Sequence, residues 1–232
     1  GLRMAFSLGA KKYGFFSGCH ATPMDLNVPN YGGLDLPPIQ RKLYRKICYF
    51  LGIMVNLEGK RFVDEGENFR NYTYAQFGRK VIEQPDSQAW QIFDNKVLDL
   101  LYDEYTFEKA TYVEANTIDG LIEKMPKVDK EAVIQTITDY NNACSSNRPF
   151  DPTSLDEKKT SGLSLPKSNW AQTISEPPFR AYPVTGGITF TYGGLKITTD
   201  GSVLRENDKP IPGLFACGEL VGGVFFNGYP GG

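Results

Sequence analysis

Residues 186–232 carry glycine at a density few folds accommodate: the pairs Gly186-Gly187, Gly193-Gly194, Gly222-Gly223 and Gly231-Gly232, with Gly218 and Gly228 between them. Short apolar runs at residues 188–192 and 214–217 alternate with these glycines. Glycine beside a strand marks backbone that takes a positive φ or lies too close to something for a Cβ. Two readings stay open. The glycines are a set of tight turns, or they form a cradle whose peptide groups pack against an extended planar ligand. Glu219 follows the second apolar run and precedes Gly222-Gly223. A carboxylate placed there needs a hydrogen-bonding partner, and in the cradle reading ligand hydroxyls supply it.

Upstream, residues 2–8 suit a short amphipathic helix that Gly9 ends in a left-handed conformation. Residues 13–18 read as a buried strand that delivers Cys19 and His20 at its carboxyl end. Residues 22–38 contain Pro23, Pro29, Gly32, Gly33, Pro37 and Pro38, which argues against regular structure and marks a first boundary. Residues 51–56 and 60–64, joined through Glu58-Gly59, read as a hairpin. Tyr74, Phe77, Val81 and Ile82 recur at helical spacing, and residues 88–94 resemble a short strand. A helix over 130–144 has Val133, Ile137, Tyr140 and Cys144 on one face and Asp129 as N-cap. Residues 145–167 are polar, hold Pro149, Pro152 and Gly162, and read as a surface loop at a second boundary. The segments are therefore 1–38, 39–166 and 167–232, with 39–166 expected to fold by itself and the flanking pieces expected to pair, through residues 13–18 and 214–217, or to associate with another copy.

The 25 basic and 27 acidic side chains leave a net charge of −2, without the basic excess of a nucleic-acid or anionic-membrane binder. No apolar run approaches the ~18 residues of a membrane span. Four cysteines without a CxxC pair and the single His20 argue against a zinc site. A chain of this size needs no staples, which points to reduced thiols and a cytoplasmic protein. His20, before the proline-rich boundary, is placed to look into a cleft or to be a structural histidine. Arg61, Glu65, Glu67 and Arg70 form a mixed-charge cluster, either a solvated face or an anion site. Tyr72, Tyr74, Phe190 and Tyr192 either wall a cleft or, as is commoner at such spacings, belong to the core.

Pro212-Gly213-Leu214-Phe215-Ala216-Cys217-Gly218-Glu219, followed by Gly222-Gly223 and residues 227–232, resembles the "PGLYAxGE…GG…GG" segment of the succinate dehydrogenase and fumarate reductase flavoprotein superfamily. Gly59-Lys60-Arg61-Phe62-Val63-Asp64-Glu65 resembles the "GxRFxxE" hairpin of that superfamily's capping domain, and residues 187–194 are similar to the strand that passes flavin and substrate. Residues 2–10, 17–21, 63–78, 167–171 and 187–194 are most similar to the tricarballylate dehydrogenase-like branch. The resemblance covers nearly the whole chain.

It implies an α+β architecture: a capping domain over 39–166, flanked by partial Rossmann-like α/β segments of an FAD-binding domain at 1–38 and 167–232. It implies FAD as cofactor, with Glu219, Gly218, Gly194, Gly231 and Gly232 around it. His20 and Arg70 would hold substrate carboxylates, Glu65 and Thr189 would touch substrate, and Tyr229 would stand beside the reacting carbon. The implied activity is oxidoreduction of a CH–CH bond in a tricarballylate-like polycarboxylate, with hydride passing to flavin N5. Three departures argue against fumarate reduction: Leu98 where those reductases carry a proton-donating arginine, Thr189 for a substrate-binding histidine and Tyr229 for a carboxylate-clamping arginine. Tyr229 before a glycine-rich turn also resembles 3-ketosteroid dehydrogenases, the alternative activity. No G-x-G-x-x-G leads into a helix here. The chain, opening on Gly1-Leu2-Arg3, is therefore expected to be an internal piece, or an inactive capping module, that does not retain FAD unaided.

Overall fold

The computed structural model describes residues 1–28, 37–38 and 41–229. Its strands are β1 (Lys12–Tyr13), β2 (Cys19–Asp25), β3 (Ile53–Asn56), β4 (Ala89–Phe93), β5 (Val113–Ala115), β6 (Phe179–Thr191), β7 (Gly194–Leu195), β8 (Ser202–Leu204) and β9 (Pro210–Phe215). The helices are α1 (Leu2–Ser7), α2 (Arg70–Ile82), α3 (Asn95–Leu98), α4 (Ile118–Glu123) and α5 (Lys130–Ala143). Mixed helix and sheet is thus the fold class, as expected.

An antiparallel sheet in the order β2-β6-β4-β3, with β5 also on β6, organises the chain. The 13-residue β6 is its spine. The amino-terminal half of β6 pairs with β4 and β5, and the other half pairs with β2, from Asp25 opposite Val184 to Cys19 opposite Thr191. This sheet takes β2 from segment 1–38, β3 to β5 from 39–166, and β6 from 167–232.

Side chains of a strand alternate between faces, and both faces of β3 and β4 are buried. Ile53, Val55, Trp90 and Ile92 pack under α4 and α5 with Leu121, Val133, Ile137 and Tyr140. Met54 and Ala89 pack on the other side with Phe77 and Val81 of α2. The α5 helix begins as its sequence predicts, with Asp129 Oδ1 accepting from the Ala132 N–H at 3.1 Å. The α2 helix lies directly on backbone: a Cβ at Gly78 would meet the Ala21 carbonyl carbon at 2.4 Å, and one at Gly186 would meet the Gly78 oxygen at 2.3 Å. Those two glycines serve packing and not a turn.

Several expectations are corrected. Residues 13–18 are not a buried strand. Gly14 turns the chain with φ +85, and the strand is β2, starting at Cys19. Pro23 lies inside β2 because its nitrogen faces away from β6, where a missing N–H breaks no ladder bond; the Pro23 carbonyl on that same side accepts from Lys46 N–H at 2.8 Å. The 51–64 hairpin reduces to a turn and one bridge, Val55 to Arg61, because β3 takes β4 as its partner. Residues 214–217 are no buried strand: β9 ends at Phe215, which is 64% exposed, and pairs with β8. The expected pairing of 13–18 with 214–217 gives way to β1 on β7, over a small core of Ala5, Ala10, Leu195, Val203 and Ile211. Residues 145–167 lack regular structure, yet Asp156, Thr160 and Lys167 are buried. Lys167 Nζ donates to the Gly52 carbonyl at 2.6 Å, and burial pushes its pKa down to about 8.

Candidate functional site

The site begins at an irregularity in the spine. His20 lies opposite Phe190 but Ala21 lies opposite Ile188, so Thr189 is an extra residue, a β-bulge. A bulge bends its strand and re-aims side chains. Here the His20 ring stacks on Phe190, with centroids 4.9 Å apart, and meets the edges of Tyr74 at 5.1 Å and Tyr229 at 5.0 Å. Tyr74 comes from α2, and the stretch after β9 brings Phe225 and Tyr229. His20 is buried, and its Nδ1 has no hydrogen-bond partner. Burial holds the imidazole below its ordinary pKa, against a smaller opposing pull from its own backbone, and so favours the neutral ring. Beside it is a cavity of about 620 Å³, whose walls include His20, Met24, Arg45, Tyr74, Thr189 and Tyr229.

Phe190 and Tyr229 also belong to a second cavity, of about 880 Å³. Tyr192, Gly201, Gly218, Glu219 and Phe225 complete much of its wall. The Tyr192 hydroxyl is buried without a partner. Gly218 has φ +67, and a Cβ there would meet nothing within 4 Å. Glu219 is exposed, and its Oε1 accepts from the Thr191 N–H at 3.0 Å. His20 Nδ1 and Tyr192 Oη are thus buried without a partner, which costs free energy.

Only part of the expected site is brought together. His20, Thr189 and Tyr229 share the smaller cavity, while Gly218 and Glu219 line the larger. Arg70 stands apart: its Nε donates to the Tyr102 hydroxyl at 2.7 Å, and it borders a separate hollow of about 210 Å³ with Phe69 and Trp170. Glu65 is fully buried, accepting from Met54 N–H at 2.7 Å and pairing with Arg61 at 2.5 Å, so it is a structural carboxylate. Gly194 packs against the backbone of residues 220–222, where a Cβ would meet the Leu220 oxygen at 2.4 Å. Gly231 and Gly232 lie outside the described residues. Sequence reasoning missed Arg45 and Phe225, and it ranked Phe190, Tyr192 and Tyr74 as core ahead of the cleft wall they form. Aromatic spacing signals burial equally well in a core and in a cavity wall, and nothing in the Leu43-Tyr44-Arg45-Lys46 run sets Arg45 apart.

Residues 40–232 match the FAD binding domain family. The chain belongs to that flavoprotein family. It is 33% identical over 176 residues to the NADH:fumarate oxidoreductase of Klebsiella pneumoniae (strain 342), covering 74% of this chain and 17% of that protein. It is 27% identical to the 3-oxosteroid 1-dehydrogenase of Mycolicibacterium smegmatis (strain ATCC 700084 / mc(2)155), covering 77% of this chain and 34% of that protein. The open conformation of a flavocytochrome c3 fumarate reductase superposes with a TM-score of 0.60 at 26% identity, covering 96% of this chain and 34% of the other. The chain thus spans 16 to 46% of the length of the curated relatives it matches. FAD is the cofactor of this family, and the larger cavity fits it: Gly218, open and with positive φ, and the exposed Glu219 carboxylate leave room and an acceptor for its hydroxyls. Among the described residues no glycine loop leads into a helix to take a pyrophosphate.

Two expected results follow. His20 is the single histidine, and its folded pKa lies below the unfolded value of about 6.5. The unfolded chain then binds more protons as pH falls below that value, so stability is full above it and lost on acidification towards the folded pKa. Urea midpoints measured from pH 7.5 to 5.5 should fall in the wild type and stay flatter in His20→Gln. If a hydroxyl of FAD binds Glu219, Glu219→Gln removes a charge-assisted acceptor worth about 1.5–3 kcal/mol and should raise the FAD dissociation constant of the holoprotein by about 10- to 100-fold. Flavin fluorescence during dialysis measures that loss.

Proposed function

We propose that this chain forms the substrate side and part of the flavin side of an FAD-dependent oxidoreductase acting on a CH–CH bond activated by a neighbouring carbonyl. The observation that carries the reading is the shared wall: Phe190 and Tyr229 border both cavities, so a group bound against His20 and one bound against Glu219 meet across them. Bound FAD supplies the two-electron redox chemistry. The protein's own groups do the rest. Tyr229 Oη, which has no hydrogen bond to a described residue, donates to the substrate carbonyl and polarises it, which acidifies the adjacent C–H bond. Neutral His20 offers one further hydrogen bond, and Tyr74, Phe190 and Phe225 exclude water. Residues 39–166 act as a capping domain that closes on β6, with Phe179 and Ala181 inside the α4 and α5 core, while α1 and β7 to β9 share a separate core.

The tricarballylate-like substrate loses two of its intended contacts, because Arg70 borders a separate hollow and Glu65 is buried against Arg61. The aromatic walls favour a ring-bearing, conjugated carbonyl substrate, which is the 3-ketosteroid-like alternative in its broad form. Anaerobic mixing of oxidised holoprotein with a panel of tricarboxylates, saturated cyclic ketones and 3-ketosteroids tests this. Flavin bleaching by a ketone and by no tricarboxylate supports the proposal. Bleaching by tricarboxylates alone returns the assignment to a polycarboxylate.

A further inference from the structure

The smaller cavity contains a cation that the sequence pattern did not single out. Arg45 lies on the strip of residues 44–46 that borders the outer edge of β2, bridged to Met24, with Tyr44 O accepting from Asp25 N–H at 2.9 Å and Lys46 N–H donating to Pro23 O at 2.8 Å. That strip fixes where the Arg45 side chain begins. The guanidinium directs Nε and Nη2 at one oxygen, Glu104 Oε1, at 3.2 and 2.6 Å. Two of five donors are thus used, on a single acceptor atom, and Nη1 has no hydrogen bond to a described residue. The Arg45 side chain lines the cavity and remains 41% exposed, while Glu104 is 13% exposed and does not line it.

Around it the wall is apolar. Leu43 and Ile188, exposed by 50% and 62%, line the same cavity with Met24 and Tyr74. Lys46 next door is buried and faces Asp25 at 3.5 Å and the Glu104 carbonyl at 2.7 Å, so it does not compete for a ligand. With His20 neutral, Arg45 is the one cationic side chain lining this cavity among the described residues. Arg45 also acts across the space: with Arg70, it pulls the Tyr74 phenol down against the larger upward push of burial.

We infer that Arg45 is the anion clamp of the His20 cavity, so that the substrate carries a single carboxylate on a flat apolar body, with its reacting carbonyl end towards Tyr229. This rests on the cavity assignment above and adds a specificity-determining residue and a charge to it. A guanidinium with an unused donor edge takes a carboxylate through two parallel bonds, which a lysine cannot reproduce. The carboxylate would share Arg45 with Glu104, so removing the charge of Glu104 should strengthen the clamp.

The test is binding of benzoate against benzamide, two probes of one shape and different charge, titrated into the holoprotein by calorimetry. Wild type should prefer benzoate by about tenfold or more, the size of one charge-assisted contact. Arg45→Gln should bring the two affinities together, Arg45→Lys should keep part of the preference, and Glu104→Gln should raise it. Equal binding of both probes by wild type, or an unchanged preference in Arg45→Gln, overturns the inference. Should Arg45→Gln not fold, a Glu104→Gln protein with an unchanged or weakened preference overturns it equally. Binding requires no turnover, so a benzoate preference that survives the failure of every ketone to bleach the flavin would sink the proposed reaction and leave the clamp standing.

Discussion

Tyr229→Phe should lower turnover of the holoprotein by about 10²- to 10⁴-fold, the usual contribution of a positioned proton donor or acceptor. The substitution leaves the ring, which meets His20 at 5.0 Å, Phe225 at 5.0 Å and Phe190 at 5.6 Å, so the wall that the cavities share survives. Only the hydroxyl is lost. Single-turnover flavin reduction, followed by absorbance, isolates that step from binding. A loss confined to KM would assign Tyr229 to substrate binding, and a change below about threefold would move the polarisation of the carbonyl to another group.

Glu65→Ala should destabilise the fold by about 3–5 kcal/mol, because it strands a charge that has nowhere to go. The Arg61 side chain is 6% exposed and Glu65 is fully buried. Arg61 also donates to the Leu165 carbonyl at 2.8 Å, so the same loss loosens the 145–167 loop. In addition, the Met54 N–H inside β3 would lose its acceptor. Replacing the pair together, Arg61→Met with Glu65→Leu, should recover much of the loss, since an apolar pair carries no desolvation cost. Denaturant midpoints of the single and double variants measure this. A Glu65→Ala protein of nearly wild-type stability with a raised KM would restore Glu65 as a substrate contact.

Glu65 shows why sequence alone misplaced part of the site. Its spacing after the Gly59 turn is visible in the chain, but whether the carboxylate faces substrate or Arg61 depends on how the 145–167 loop closes over it. Arg70 presents the same case, since Tyr102 claims it from 32 residues away. Where the deciding partners are local, the reading held: α5 has its apolar face and cap within fifteen residues, and α2 has its period. The β6 spine was hidden for the opposite reason. Pro183 and Gly186-Gly187 read locally as breakers, yet β2 and β4 hold Pro183 and both glycines in register, and α2 needs the space that Gly186 leaves. The glycine segment was half legible: Gly218 opens the larger cavity, whereas Gly194 serves packing.

The central claim is that a flavin cavity and a substrate cavity adjoin at Phe190 and Tyr229, which border both. A crystal structure of the FAD-loaded protein soaked with benzoate tests it most directly. The account predicts the flavin ring in the cavity of Tyr192 with a ribityl hydroxyl on Glu219, and benzoate against His20 with its carboxylate at Arg45. Flavin in the His20 cavity, or Glu219 turned away from a flavin bound elsewhere, would contradict it.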